Sequence, residues 1–176
     1  MRVLIACILA LTCAPAVAAP ATAKTSATTS YSERMALLAK LVGDWRGSGW
    51  MILPNGKRES FVSQETVSRR LSGHALLVEG QHRSANGQLV HDAMAMITWN
   101  ERAGGYRMRT ALSSGFGGDF PLEVTPGGFA WRMDVPGGHM EYVAQFQDDV
   151  WTERGRRIST DGRSTDFFEM RLQRLR

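Results

Sequence analysis

Two charged residues stand out by their place in strand-like stretches: Arg109, within Tyr106-Arg-Met-Arg-Thr-Ala-Leu112, and Glu153, two residues after Trp151 and so on its face. Pointed inward, they would have to pair or to hold a polar group of a ligand, because an unpaired buried charge is costly. Pointed outward, they form an ordinary cross-strand surface pair. Alternation alone leaves the direction open. The stretch Ser113-Ser-Gly-Phe-Gly-Gly-Asp119 sets two hydroxyls near a carboxylate, yet it lacks the G-x-S-x-G pattern and strand-to-helix turn of a nucleophile elbow. It reads as a glycine-rich loop able to gate a cavity. The four histidines, His74, His82, His91 and His139, stand at a turn and at strand ends without metal-ligand spacing, and read as solvated or capping side chains. No acid–base or nucleophile set is specific, so the residues do not point to an enzyme. No cofactor or metal is expected.

Aromatic and methionine side chains are the other chemistry on offer. Met96, Met108, Trp131, Met133, Tyr142, Phe146 and Trp151, with Arg109 and Glu153, are the candidate ligand-binding residues. Met supplies adaptable apolar contact, and Tyr or Trp adds a polar handle. The same residues would serve equally well as packed core.

The elements that must position them are mostly strands. From Trp45 onward, short alternating runs are separated by turn dipeptides such as Asn55-Gly56, Asn86-Gly87, Gly104-Gly105, Gly127-Gly128, Gly137-Gly138 and Asp161-Gly162. Phe129, Trp131, Met133 and Val135 share one face, as do Met140, Tyr142, Ala144 and Phe146. The turns leave no room for crossover helices, so successive strands pair antiparallel. Strands are expected over 45–53, 58–70, 74–83, 89–99, 105–113, 119–125, 129–135, 139–147, 150–158 and 164–174. The fold class is all-β: an antiparallel up-and-down barrel of about ten strands, closed because closure buries each apolar face and removes the edges. A transmembrane barrel fits poorly, since regular aromatic girdles are missing and the opposite faces are rich in charge. One short helix precedes the strands, N-capped by Ser32, with Met35, Leu38, Leu41 and Val42 at helical spacing and Gly43 ending it.

The junction Leu41-Val-Gly43-Asp-Trp45-Arg-Gly47-Ser-Gly49 is the most distinctive segment. Gly43 turns the chain from helix to strand, Trp45 can plug one end of a barrel, and Gly47 and Gly49 permit a sharply bent first strand. This opening resembles that of lipocalin-like (calycin) barrels. The resemblance implies that an Arg of the last strand, Arg171 or Arg174, covers Trp45 in a cation–π contact. With Leu71-Ser-Gly73-His-Ala-Leu-Leu77-Val-Glu-Gly80, Gly104-Gly-Tyr106-Arg-Met108-Arg109 and the ending Trp151-x-Glu153 … Asp161-Gly162 … Phe167-Phe-Glu-Met170-x-Leu172, the chain also resembles a family of bacterial exported proteins without an assigned reaction. The opening is similar, too, to that of nitrobindin-type haem barrels. Those carry an axial His near the start of the final strand, where this chain has Thr165-Asp166-Phe167-Phe168. The resemblance therefore implies a barrel without the haem site.

The N-terminus sets the expected location. Arg2, the apolar run Val3–Leu11 and the small residues around Ala16-Val17-Ala18 make residues 1–19 a secretory signal, cleaved after Ala18 or Ala19. Residues 20–31 read as a disordered leader, and 32–176 as a single barrel domain. Cleavage after Ala18 leaves 158 of the 176 residues and removes both cysteines, Cys7 and Cys13. Thiolate chemistry and disulfides go with them. The 21 basic residues fall to 20 against 17 acids, a net charge of +3. Apart from Arg69-Arg70 and Arg154/Arg156/Arg157 the basic residues are dispersed, which argues against nucleic acid as a partner. The expectation is a periplasmic or secreted, not membrane-spanning, barrel that binds a small apolar molecule; the alternative is an envelope assembly or stress-protection module acting through its surface.

Overall fold

The computed structural model describes residues 30–176. The export signal, both cysteines and most of the leader lie outside the described residues. Helix α1 spans Tyr31–Ala36 and is followed by a 3-10 turn over Ala39–Leu41. Its N-cap is Ser30, two residues earlier than expected. Glu33 decides this: its backbone N–H donates to Ser30 Oγ at 3.3 Å, and its carboxylate accepts from the Ser30 backbone N–H at 2.7 Å, closing a capping box that Ser32 has no partner to form.

Ten strands follow: β1 (Gly43–Ile52), β2 (Arg58–Arg70), β3 (Ala75–Ser84), β4 (Leu89–Asn100), β5 (Gly105–Leu112), β6 (Gly117–Thr125), β7 (Gly128–Val135), β8 (Gly138–Gln147), β9 (Val150–Ser159) and β10 (Ser164–Arg174). Each pairs antiparallel with the next, and β1 closes against β10, so the sheet is a barrel without an edge. Strand bounds agree with the expected ones to within two residues, because alternation and turn residues are local signals. Gly47 and Gly49 act through close approach to β10. A Cβ on Gly47 would collide with the Arg171 carbonyl, and one on Gly49 with the Glu169 carbonyl and the Phe61 ring. Among the described residues no helix is long and apolar enough to cross a membrane.

One end of the barrel is sealed. Trp45 is fully buried and donates its indole N–H to the Leu41 carbonyl at 2.8 Å. Trp151 and Phe146 meet it edge-on, with ring centroids 5.7 and 5.9 Å away. Arg174 is the last-strand arginine that covers it, 4.0 Å above the ring. Arg174 stands directly opposite Trp45 in the β1–β10 register and so shares its side of the sheet, whereas Arg171 is opposite Ser48 and faces outward. The same guanidinium donates to the Val42 and Lys40 carbonyls and to Asp149, tying the helix-to-strand junction to the β8–β9 turn. Helix α1 and the 3-10 turn after it complete the seal: Met35, Leu38 and Leu41 are buried, and Tyr106 Oη donates to the Arg34 carbonyl at 2.7 Å.

Candidate functional site

Above this seal the interior opens into a cavity of about 360 Å³ that reaches the rim formed by Ile52, Phe116, Met133 and Met140. This lies within the range of small-molecule pockets, roughly 300–1,000 Å³. The wall is largely apolar. Trp131 lies flat on Tyr142 at 4.2 Å with 2° between planes, and Phe120 stands 5.2 Å from Trp131. A shift of register between Asp166 and Phe168 in β10 leaves Phe167 and Phe168 both bordering the cavity.

Five side chains give the cavity its polarity: Glu65 on β2, His82 on β3, His91 on β4, Tyr142 on β8 and Glu153 on β9. Glu65 stands opposite Gly80 in the β2–β3 register, and a Cβ on Gly80 would overlap the Glu65 carboxyl. The glycine is thus the recess that carboxyl occupies. Glu65 Oε1 accepts from Ser63 Oγ at 3.1 Å and lies 3.1 Å from His82 Nε2. His82 is stacked on Phe61 with 4.2 Å between ring centres and comes within 4.9 Å of His91. Its Nδ1 is buried without a partner, as is the indole N–H of Trp151.

Burial dominates the titration of these groups. It pushes Glu65 up to about 8, against a smaller opposing pull from the Ser63 hydroxyl. Glu153 is also pushed up to about 8, first by burial and then by the charge of Glu65 across the cavity; the indoles of Trp151 and Trp131 lie close enough to oppose this in part. Glu153 is half-buried and borders the cavity. His82 is lowered to about 4 by burial, and His91 to about 4 by burial and then by His82. Burial, followed by Glu153, raises the Tyr142 hydroxyl further. At neutral pH the Glu65–His82 contact is therefore a carboxylic acid donating to imidazole Nε2, one proton shared by two uncharged groups.

Of the candidate ligand-binding residues, Met108, Trp131, Met133, Tyr142, Trp151 and Glu153 border the cavity. Three do not. Arg109 lies on the outer face, where its Nε is 3.3 Å from Asp119 Oδ2, and Arg107 reaches the other oxygen of the same carboxylate at 2.9 Å. Met96 is its cross-strand partner and is 36% exposed, so both leave the site by the same parity. Phe146 packs below the cavity against Trp45 and Trp151. Arg109 and Glu153 consequently do not pair. The glycine-rich loop does lie at the mouth, with Phe116 half-exposed on the cavity rim, but Asp119 is turned to the arginines, away from any nucleophile role.

The histidine reading needs correction at two positions. His82 is 4% exposed and paired, and His91 borders the cavity; neither is a solvated strand-end residue. Glu65 and Ser63 were missed altogether. The signal was present in Phe61-x-Ser63-x-Glu65-x-Val67, where two polar residues share the parity of two buried apolar ones. Among the described residues no group of three or more His, Asp or Glu is arranged to hold a metal ion.

Neither a protein-family model nor a curated protein sequence matches the chain. Solved structures do. Rv2717c from M. tuberculosis is similar with a TM-score of 0.62 and 16% identity, over 81% of this chain and 97% of that one. The S-type phycobiliprotein lyase CPES from Guillardia theta is similar with a TM-score of 0.51 and 11% identity, over 80% of this chain and 92% of that one. At such identities the likeness concerns fold, and with the closed antiparallel topology it makes the chain a calycin-like ten-stranded barrel.

Proposed function

We propose that the protein is an exported binding protein that holds a small, mainly apolar molecule inside the barrel, anchored by a few polar groups on the inner wall. The observation that carries this is the cavity: about 360 Å³, walled by aromatic and methionine side chains and open at one end. A barrel built only for rigidity would fill that volume with side chains, since packed interiors leave few voids larger than a water molecule. The polar groups converge on the inside, as binding pockets place their few orienting contacts. Export rests on the pattern of residues 1–19 and carries the location, periplasmic or secreted.

Native mass spectrometry and organic extraction of the purified mature protein should recover a co-purifying small molecule, and a polarity-sensitive dye should brighten on addition to the extracted protein. Ala95→Phe, which adds bulk at a position on the cavity wall, should abolish the dye signal in a folded protein. Absence of any adduct, together with no dye response across a chemically varied panel, overturns the reading.

A further inference from the structure

We propose that the cavity selects an amphiphile with a cationic head, a lipophilic amine or quaternary ammonium, over one with an anionic head. The inference rests on the binding function proposed above and names its ligand class. Its basis is the inventory of charge around the cavity. Every titratable group on the wall is an acid or a histidine: Glu65 from β2, His82 from β3, His91 from β4, Tyr142 from β8 and Glu153 from β9. Strands β1, β5, β6, β7 and β10 contribute only apolar or aromatic side chains and Thr110 there. Among the described residues no Lys or Arg borders the cavity. Arg157, near the rim, donates to the Pro136 carbonyl at 2.9 Å instead.

An anionic head brought to the inner wall would find no Lys or Arg to neutralise it, and a buried charge without a countercharge is costly. A cationic head meets the reverse. Either carboxyl can ionise against it and supply the missing countercharge. The recess at Gly80 gives Glu65 its place beside His82. When Glu65 ionises, Nε2–H of His82 donates to it, so the carboxylate keeps a partner on its protein side.

The proton balance follows. Both carboxyls are protonated at neutral pH in the empty barrel, so a cation that ionises one of them releases one proton to solvent. Affinity then rises about tenfold per pH unit up to pH 8 and levels off above it.

The test compares three probes of equal chain length, decyltrimethylammonium, 1-decanol and decanoate, by calorimetry on the extracted mature protein between pH 6 and 9. Two buffers of different ionisation enthalpy count the proton. The expected result is that the quaternary ammonium binds at least tenfold more tightly than decanoate at pH 8, with about one proton released at pH 7. Glu65→Gln or Glu153→Gln should weaken the cation by a larger factor than decanol. Should either variant fail to fold, the proton count on the unsubstituted protein decides. Decanoate or decanol binding as tightly as the cation, or a pH-independent cation affinity, overturns the cationic preference while leaving apolar binding intact. Failure of all three probes removes both readings together.

Discussion

The two ends of the barrel interior use the same residue types to opposite ends. At the sealed end the groups around Trp45 are paired: its indole N–H reaches the Leu41 carbonyl, and Arg174 donates to Asp149 and to two backbone carbonyls, although Arg34 Nε and the Trp99 indole beneath α1 lack partners. On the cavity wall, Trp131 and Tyr142 face empty volume, His82 Nδ1 and the Trp151 indole lack partners, and two carboxyls are held away from solvent. A satisfied network rigidifies, whereas an unsatisfied one lowers stability unless something else completes it. The contrast separates residues that hold the fold from residues assigned to the proposed binding function, and it can be attacked from either side.

The largest effect is expected at the seal. Trp45→Ala should cost about 3–5 kcal/mol by urea denaturation, the usual range for truncating a buried aromatic residue. At low temperature the fraction still folded should bind the dye as before. Lost dye affinity in a folded Trp45 variant would mean that the two regions are not separate.

Changing pH probes the cavity side. Glu65 and Glu153 are raised from 4.5 to about 8, so they contribute stability that is complete below pH 4.5 and lost as pH climbs through 8. His82 and His91 are lowered from 6.5 to about 4, so their contribution is complete above pH 6.5 and lost as pH falls through 4. The opposing slopes cancel between about 4.5 and 6.5, leaving a plateau there and a decline from 6.5 to 8 of at most about 1.4 kcal/mol per pH unit for each carboxyl. Urea midpoints at pH 5.5, 6.5 and 8 should trace it. Glu153→Gln should halve the alkaline decline and make the ligand-free protein more stable at pH 8 than the parent; an unaltered decline would show that Glu153 is already ionised.

The smallest effect is expected outside. Arg109→Ala should shift stability by no more than about 0.5 kcal/mol, since its partner Asp119 is half-exposed and retains Arg107. Dye affinity should not change. A clear loss of binding would bring the outer face of β5 into the site.

How much was legible follows the same division. Strands, turns and the capping arginine are written in local patterns, and Arg174 could be told from Arg171 once the register of β1 against β10 was known. The direction of Arg109 was carried by its own neighbours: Met108 and Thr110 are its immediate neighbours, and both border the cavity. The Glu65–His82 contact is of another kind. Seventeen residues separate the two, and only the β2–β3 register and the room left by Gly80 bring them together. A glycine at the one position where a side chain would block its neighbour has no distinguishing mark in a single sequence.

The seal over Trp45 also makes the barrel a vessel with a single doorway. A guest must enter and leave past Phe116 and Met133, and one gripped at Glu65 and Glu153 lies head inward with its tail toward the opening. The floor therefore measures the head, while an overlong tail simply protrudes. On the binding function proposed, such a container sorts its guests by the chemistry of one end and is indifferent, beyond a minimum, to their length.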